Sequence, residues 1–142
     1  MYTLLVALSL AAAPTQIQDE AAGRRLLGEH DLTLQWVSWE TPGKAVVQAD
    51  AEGVWRIHGE QVMNGERLSI DGAILRVDSN TFTFDGTIVT QVSYIAGGKT
   101  CTRTGPATFT IKGKRRYWRL QEMTNPCDAV TDYVDVYLRP GE

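Results

Sequence analysis

Residues 115–138 read RRYWRLQEMTNPCDAVTDYVDVYL, two runs in which apolar or aromatic and polar side chains alternate, separated by an Asn125-Pro126 break. Period-two alternation on either side of a turn-forming pair is the pattern of two antiparallel strands with unlike faces. The stretch therefore predicts a β-hairpin, with Cys127 in its connection as a point for a covalent staple. The hairpin also predicts charge pairing: with Gln121 opposite Val130, Arg119 faces Asp132 and Arg116 faces Asp135, and such cross-strand pairs stabilise a sheet by a fraction of a kcal/mol each.

Working outward, the whole chain from Asp31 has the same texture, with short runs rich in Thr, Val, Ile, Trp, Tyr and Phe. Glycine or Asn/Asp punctuates them about every eight to twelve residues, the spacing of an antiparallel all-β domain. Strands are predicted at 32–39, 45–50, 54–62, 67–70, 73–77, 81–84, 87–95, 100–103, 107–112, 115–121 and 130–138, some of them merging. Asn64-Gly65, Asp71-Gly72 and Asp85-Gly86 suit tight hairpins, because both turn residues tolerate positive φ. About eight to ten hairpin-connected strands without crossover helices favour an up-and-down meander barrel, which leaves no exposed edge. A β-sandwich is the alternative.

Upstream, residues 16–28 hold good helix formers in acidic-then-basic order with a glycine stop, which predicts a short helix. Residues 1–13 form an uncharged apolar run ending in small residues, too short to span a bilayer and suited to a signal peptide. The expected organisation is thus a leader at 1–13, a helix and linker at 14–30, and one barrel domain at 31–142. Export places Cys101 and Cys127, the two cysteines of the chain, in an oxidising setting and predicts a disulfide between them. A Cys/His zinc site has poor support from two histidines, His30 and His58, and no CxxC.

Charge is unevenly spread. Lys99, Arg103, Lys112, Lys114, Arg115, Arg116 and Arg119 lie between Gly86 and Gln121 with no Asp or Glu among them, in a chain whose formal net charge is −3. Cross-strand pairing absorbs part of this block. Lys112, Lys114 and Arg115 at the leading turn have no acidic partner in that register, so Lys112, Lys114, Arg115 and Arg116 are the candidate surface for an anion or a partner protein. The acidic isoelectric point and the expected export argue against nucleic acid.

No nucleophile elbow, P-loop, HExxH or dinucleotide fingerprint is present, and Asp132 and Asp135 fall on opposite faces of a regular strand. The expectation is a protein without enzymatic activity or cofactor, monomeric and without a membrane span. Trp55, Trp118, Tyr133 and Tyr137 are candidate lining residues for a small apolar or amphipathic ligand, since such rings combine apolar area with a polar handle.

Gly53-Val54-Trp55 is similar to the Gly-x-Trp of the lipocalin family's first strand, and Thr131-Asp132-Tyr133 resembles that family's Thr-Asp-Tyr signature. The resemblance implies an eight-stranded up-and-down barrel with a short helix at one end and an apolar ligand in the cup. No strand follows to supply the family's third signature, an arginine near the chain end. Small exported bacterial lysozyme inhibitors are similar in size, barrel type and single disulfide, which implies an inhibitor or protein-interaction module of the cell envelope.

Overall fold

The computed structural model describes residues 2–5 and 12–142. The predicted leader lies in part on Met1 and residues 6–11, outside the described residues. The described chain is all-β with one short helix. In order it comprises β1 (Gln16–Ile17), α1 (Glu20–Leu26), β2 (Gly28–Leu34), β3 (Gly43–Ala49), β4 (Trp55–Met63), β5 (Glu66–Val77), β6 (Thr81–Gln91), β7 (Cys101–Thr110), β8 (Tyr117–Leu120) and β9 (Val134–Tyr137). From β2 to β9 each strand pairs antiparallel with the next, and β9 returns to β2 through Leu32 opposite Val136, so eight strands close a meander barrel. β1 adds in parallel to β5.

Strand alternation decides which side chains fill this barrel. On β4, Ile57, Gly59 and Gln61 are buried while Arg56, His58 and Glu60 are exposed, the period-two signature of an inner and an outer face. The inner faces together bury Leu32, Leu34, Ile70, Ile74, Phe82, Phe84, Phe109, Trp118 and Leu120 at 0–1% exposure. Phe82 stacks on Phe109 at 4.8 Å between centroids, and Trp118 meets Phe82 edge-on at 5.9 Å. An eight-stranded interior is just wide enough to be filled by side chains, and this one is.

Three pairs of predicted strands merge, and the reason is glycine. Asp71-Gly72 and Asp85-Gly86 do not turn; they stand inside β5 and β6, where Gly72 pairs with Gly86 and Gly86 with Gly105 of β7. A Cβ on Gly72 would lie 2.5 Å from the Asp85 carbonyl oxygen, so the row of glycines lets sharply curved neighbouring strands approach where side chains would collide. Asn64-Gly65 does turn, with φ of 51° and 82°, as a two-residue type I′ hairpin requires. The predicted strand 32–39 stops at Leu34: the Leu34 carbonyl accepts the N–H groups of Val37 and Ser38, and Gln61 Oε1 takes the Leu34 N–H at 2.8 Å.

Each mouth of the barrel is covered. At the end where Val77 meets Phe82, α1 lays Ala22 and Leu26 into the core and packs Gly23 against the Trp55 ring. Asp19 caps the start of α1 by accepting the Ala22 N–H at 2.8 Å. Arg139 closes its far end, donating to the carbonyls of Leu27 at 2.7 Å, Arg25 at 3.1 Å and Arg24 at 3.2 Å. At the opposite end, where Thr90 meets Cys101, residues 121–133 fold across the mouth and are tied to β7 by the Cys101–Cys127 disulfide. No helix among the described residues is long and apolar enough to cross a membrane.

Candidate functional site

The hairpin of residues 115–138 places its polar groups on the outside of this filled barrel. Trp118 and Leu120 of β8, and Val134 and Val136 of β9, point inward; Tyr117, Arg119, Asp135 and Tyr137 alternate with them and face out. The register differs from the predicted one by three residues: Arg119 stands opposite Asp135, not Asp132, and Tyr117 opposite Tyr137. The two arms also pair near the tip, where Thr124 bridges Thr131 and the Asp132 N–H donates to the Met123 carbonyl at 2.7 Å, so the register slips by one residue between the tip and β8–β9. Asp132 lies at this tip, where Trp36 Nε1, Asn125 Nδ2 and Arg103 Nη2 approach its carboxylate at 3.1, 3.0 and 3.3 Å. Arg103 also donates to the carbonyls of Glu122 and Thr124. Arg116, which the predicted register set against Asp135, donates instead to the Arg139 carbonyl at 3.3 Å.

Arg119 is the centre of the outer face. Its guanidinium grips the fully buried Asp135 carboxylate through two parallel bonds, Nε to Oδ1 at 2.8 Å and Nη2 to Oδ2 at 2.9 Å. This fork geometry is the strong form of a charge-assisted hydrogen bond. Burial pushes the Asp135 carboxyl above its ordinary range although Arg119 pulls the other way, and the bond to Asp135 holds the Arg119 charge more firmly. The same guanidinium lies over the Tyr133 ring at 4.1 Å and the Tyr117 ring at 4.9 Å. Trp39 stacks on Tyr133 at 6.5 Å, and Arg115 reaches the Tyr117 ring at 5.9 Å. The result is one continuous row: Arg115, Tyr117, Arg119, Tyr133, Trp39.

The predicted ligand-lining set is not brought together. Trp118 is 1% exposed inside the barrel, with the His30 and Phe82 rings against it. Trp55 lies under α1 at one mouth, whereas Tyr133 and Tyr137 are on the outer face. The predicted cationic set is brought together. Lys112, Lys114, Arg115 and Arg116 are all exposed in the β7–β8 turn, and none forms an ion pair with a described residue. From sequence, Arg119 is expected only as a cross-strand partner of Asp132 within the basic block, and Tyr117 and Trp39 have no expected role in a site. The alternation of 117, 119, 133, 135 and 137 carried that signal, because it assigns Arg119 and three tyrosines to one side of the hairpin.

Beside this row, the outer face of β2 carries Glu29, Asp31 and Thr33. Lys44 of β3 pairs with Asp31 at 2.7 Å and reaches Glu29 at 3.7 Å. Thr33 is 2% exposed and its Oγ1 has no partner at hydrogen-bonding geometry, although the Tyr137 phenol is turned toward it. Burial raises the Tyr137 phenol above its ordinary value. Among the described residues no group of three or more His, Cys, Asp or Glu side chains is placed to share a metal ion.

The fold and its outer face define a closed, eight-stranded antiparallel β-barrel whose interior is packed and whose charged and aromatic groups lie outside. The chain belongs to the PM1083 family, whose model matches residues 14–138. It is 46% identical over 114 residues to the uncharacterized protein PM1083 of Pasteurella multocida (strain Pm70), covering 80% of this chain and 74% of that one. No solved structure matches it. The barrel is of the kind that the lipocalin resemblance implies; the family match does not extend that resemblance beyond architecture.

Proposed function

We propose that this protein is an exported, non-enzymatic interaction module that recognises an acidic partner protein of the cell envelope through the outer face of β8 and β9 and the basic turn that precedes β8. One observation carries the reading: four exposed cations without ion-pair partners lead directly into the Arg115–Tyr117–Arg119–Tyr133–Trp39 row, outside a barrel whose interior is filled. Arg, Tyr and Trp are the residues that dominate binding energy at protein interfaces, because they bury large planar areas at low entropic cost. The bidentate Asp135 bond fixes Arg119 before any partner arrives, which reduces what binding must spend on ordering it. The unpaired cations would steer an acidic surface toward the row. Export is supported by the Cys101–Cys127 bridge and by the apolar character of the leading residues. The packed position of Trp118 favours this reading over an interior carrier.

The test compares the immobilised protein with a variant carrying Lys112→Glu, Lys114→Glu, Arg115→Glu and Arg116→Glu, both shown to be folded by circular dichroism, against periplasmic extract. The native protein is expected to retain a partner whose capture weakens with salt and is lost in the variant. A partner retained equally by both, or none at all, overturns the reading.

A further inference from the structure

The row on the outer face of β8 and β9 does not end at Trp39. It runs onto the rim of the mouth that residues 121–133 cover, where three connections meet: residues 35–42, the β4–β5 turn and residues 92–100. Apart from residues 2–5, the large apolar side chains that stand exposed among the described residues are Trp39 at 50%, Val62 at 51%, Leu75 at 44% and Tyr94 at 62%. Single exposed apolar residues are ordinary on a protein surface, but three of these share one rim. Trp36 joins them: its ring meets the Tyr94 ring edge-on at 6.4 Å, and its indole N–H is bound to Asp132, the chain neighbour of Tyr133.

The three connections are locked to one another. Gln61, the residue before Val62, donates to the carbonyls of Ser38 and Thr41, each at 2.9 Å. Glu66, across the turn, accepts the Ser93 N–H and the Ser93 hydroxyl, each at 2.6 Å. The Tyr94 hydroxyl donates to the Trp36 carbonyl. A surface held in this way is in place before a partner arrives, so binding spends little on ordering it. The same bonds occupy the Glu66 carboxylate, and the Asp128 carboxylate is taken by the Ala96 N–H at 2.7 Å. The ends of the row therefore differ in kind. At the Arg115 end stand exposed cations without ion-pair partners among the described residues; at the Trp39 end stand exposed apolar side chains, with the exposed Glu40 beside Trp39 to repel an acidic group.

Resting on the reading of this row as a recognition surface, we propose that its occupant is an extended segment of the partner protein, acidic at one end and apolar at the other, whose apolar side chains seat against Tyr94, Val62 and Trp36. The dimensions suit such a segment. The contacts that make up the row are between 4.1 and 6.5 Å each. Together they give it a length on the order of 20 Å, which about six residues of extended chain span. Charge fixes the acidic end over the basic turn, and the aromatic rim receives the rest.

The probe is a fluorescently labelled peptide, acetyl-Glu-Glu-Glu-Ser-Ser-Ser-Ser-Leu-Phe-amide, measured by anisotropy against the full chain. Two controls accompany it: the same peptide with Leu-Phe replaced by Ser-Ser, and acetyl-Glu-Leu-Ser-Glu-Ser-Phe-Ser-Glu-Ser-amide, which has the same composition with the acidic and apolar residues intermixed. The first peptide is expected to bind about tenfold more tightly than either control, as partial burial of two apolar side chains provides. Raising the salt should weaken both Glu-Glu-Glu peptides while leaving the ratio between them unchanged, because only their shared acidic end is screened. In a folded variant carrying Val62→Ser and Tyr94→Ser the Leu-Phe and Ser-Ser peptides should bind alike, a coupling that a merely structural role for these residues would not produce. Tyr94→Phe keeps the ring and Leu75→Ser lies off the rim, so each should preserve the tenfold difference. Equal binding of the three peptides by the native protein overturns the proposal, as does a Leu-Phe advantage that survives Val62→Ser with Tyr94→Ser, or no binding at all. Acidic peptides that bind without regard to Leu-Phe would remove the apolar rim and leave the reading of the basic turn standing, since that reading is tested by capture of a partner.

Discussion

Arg119 shows how one side chain can organise a surface. It binds a carboxylate of zero exposure and is held between two tyrosine rings, so removing either partner leaves a charge or a cavity uncompensated. Asp135→Asn is expected to cost about 3 kcal/mol in urea unfolding, because the guanidinium then sits in a desolvated place without its counter-charge. The double variant Arg119→Met with Asp135→Leu should recover most of that loss, since replacing a buried pair by apolar groups of similar volume is often neutral. A double variant less stable than Asp135→Asn alone would mean that the pair holds more than itself. The pairing of opposite charges on this hairpin was legible in the sequence. Its register was not, because a strand's partner depends on where its neighbour begins, and Val134 rather than Val130 begins β9.

At the scale of elements, glycine has two different jobs in this chain. Gly65 sits in a hairpin turn with φ of 82° and open space around its Cα, so an alanine there meets backbone strain alone. Gly86 sits in mid-strand, where a Cβ would collide with the Asp71 carbonyl and lie 2.5 Å from Gly72 Cα. Gly65→Ala should therefore cost about 1–2 kcal/mol, the ordinary price of a left-handed residue, whereas Gly86→Ala should cost about 3 kcal/mol or more by forcing β5 and β6 apart. Thermal denaturation of the two variants side by side reads this difference, and equal costs would remove the account of the glycine row. In sequence the two sites look alike, each an Asx-Gly pair between β-rich runs. Only curvature of the closed sheet tells them apart.

For the molecule as a whole, closure and filling are linked. Phe82, Phe84, Phe109 and Trp118 occupy the interior, α1 covers one mouth, and the disulfide-tied segment 121–133 covers the other. Apolar dyes at micromolar concentration are accordingly expected to leave the intrinsic tryptophan fluorescence unchanged. Phe109→Ala should lose about 3–5 kcal/mol and gain dye binding through the space it opens. Dye uptake by the native protein would mean that the interior is accessible after all. The all-β class, the short helix, the barrel closure and the Cys101–Cys127 bridge were all readable from alternation, turn residues and cysteine count. Those properties follow from local chemistry, in which each residue or pair speaks for its own conformation. The row from Arg115 to Trp39 belongs to the tertiary structure alone. It joins residues far apart in the chain, Trp39 with Tyr133, and only closing β9 onto β2 sets those side chains on one face.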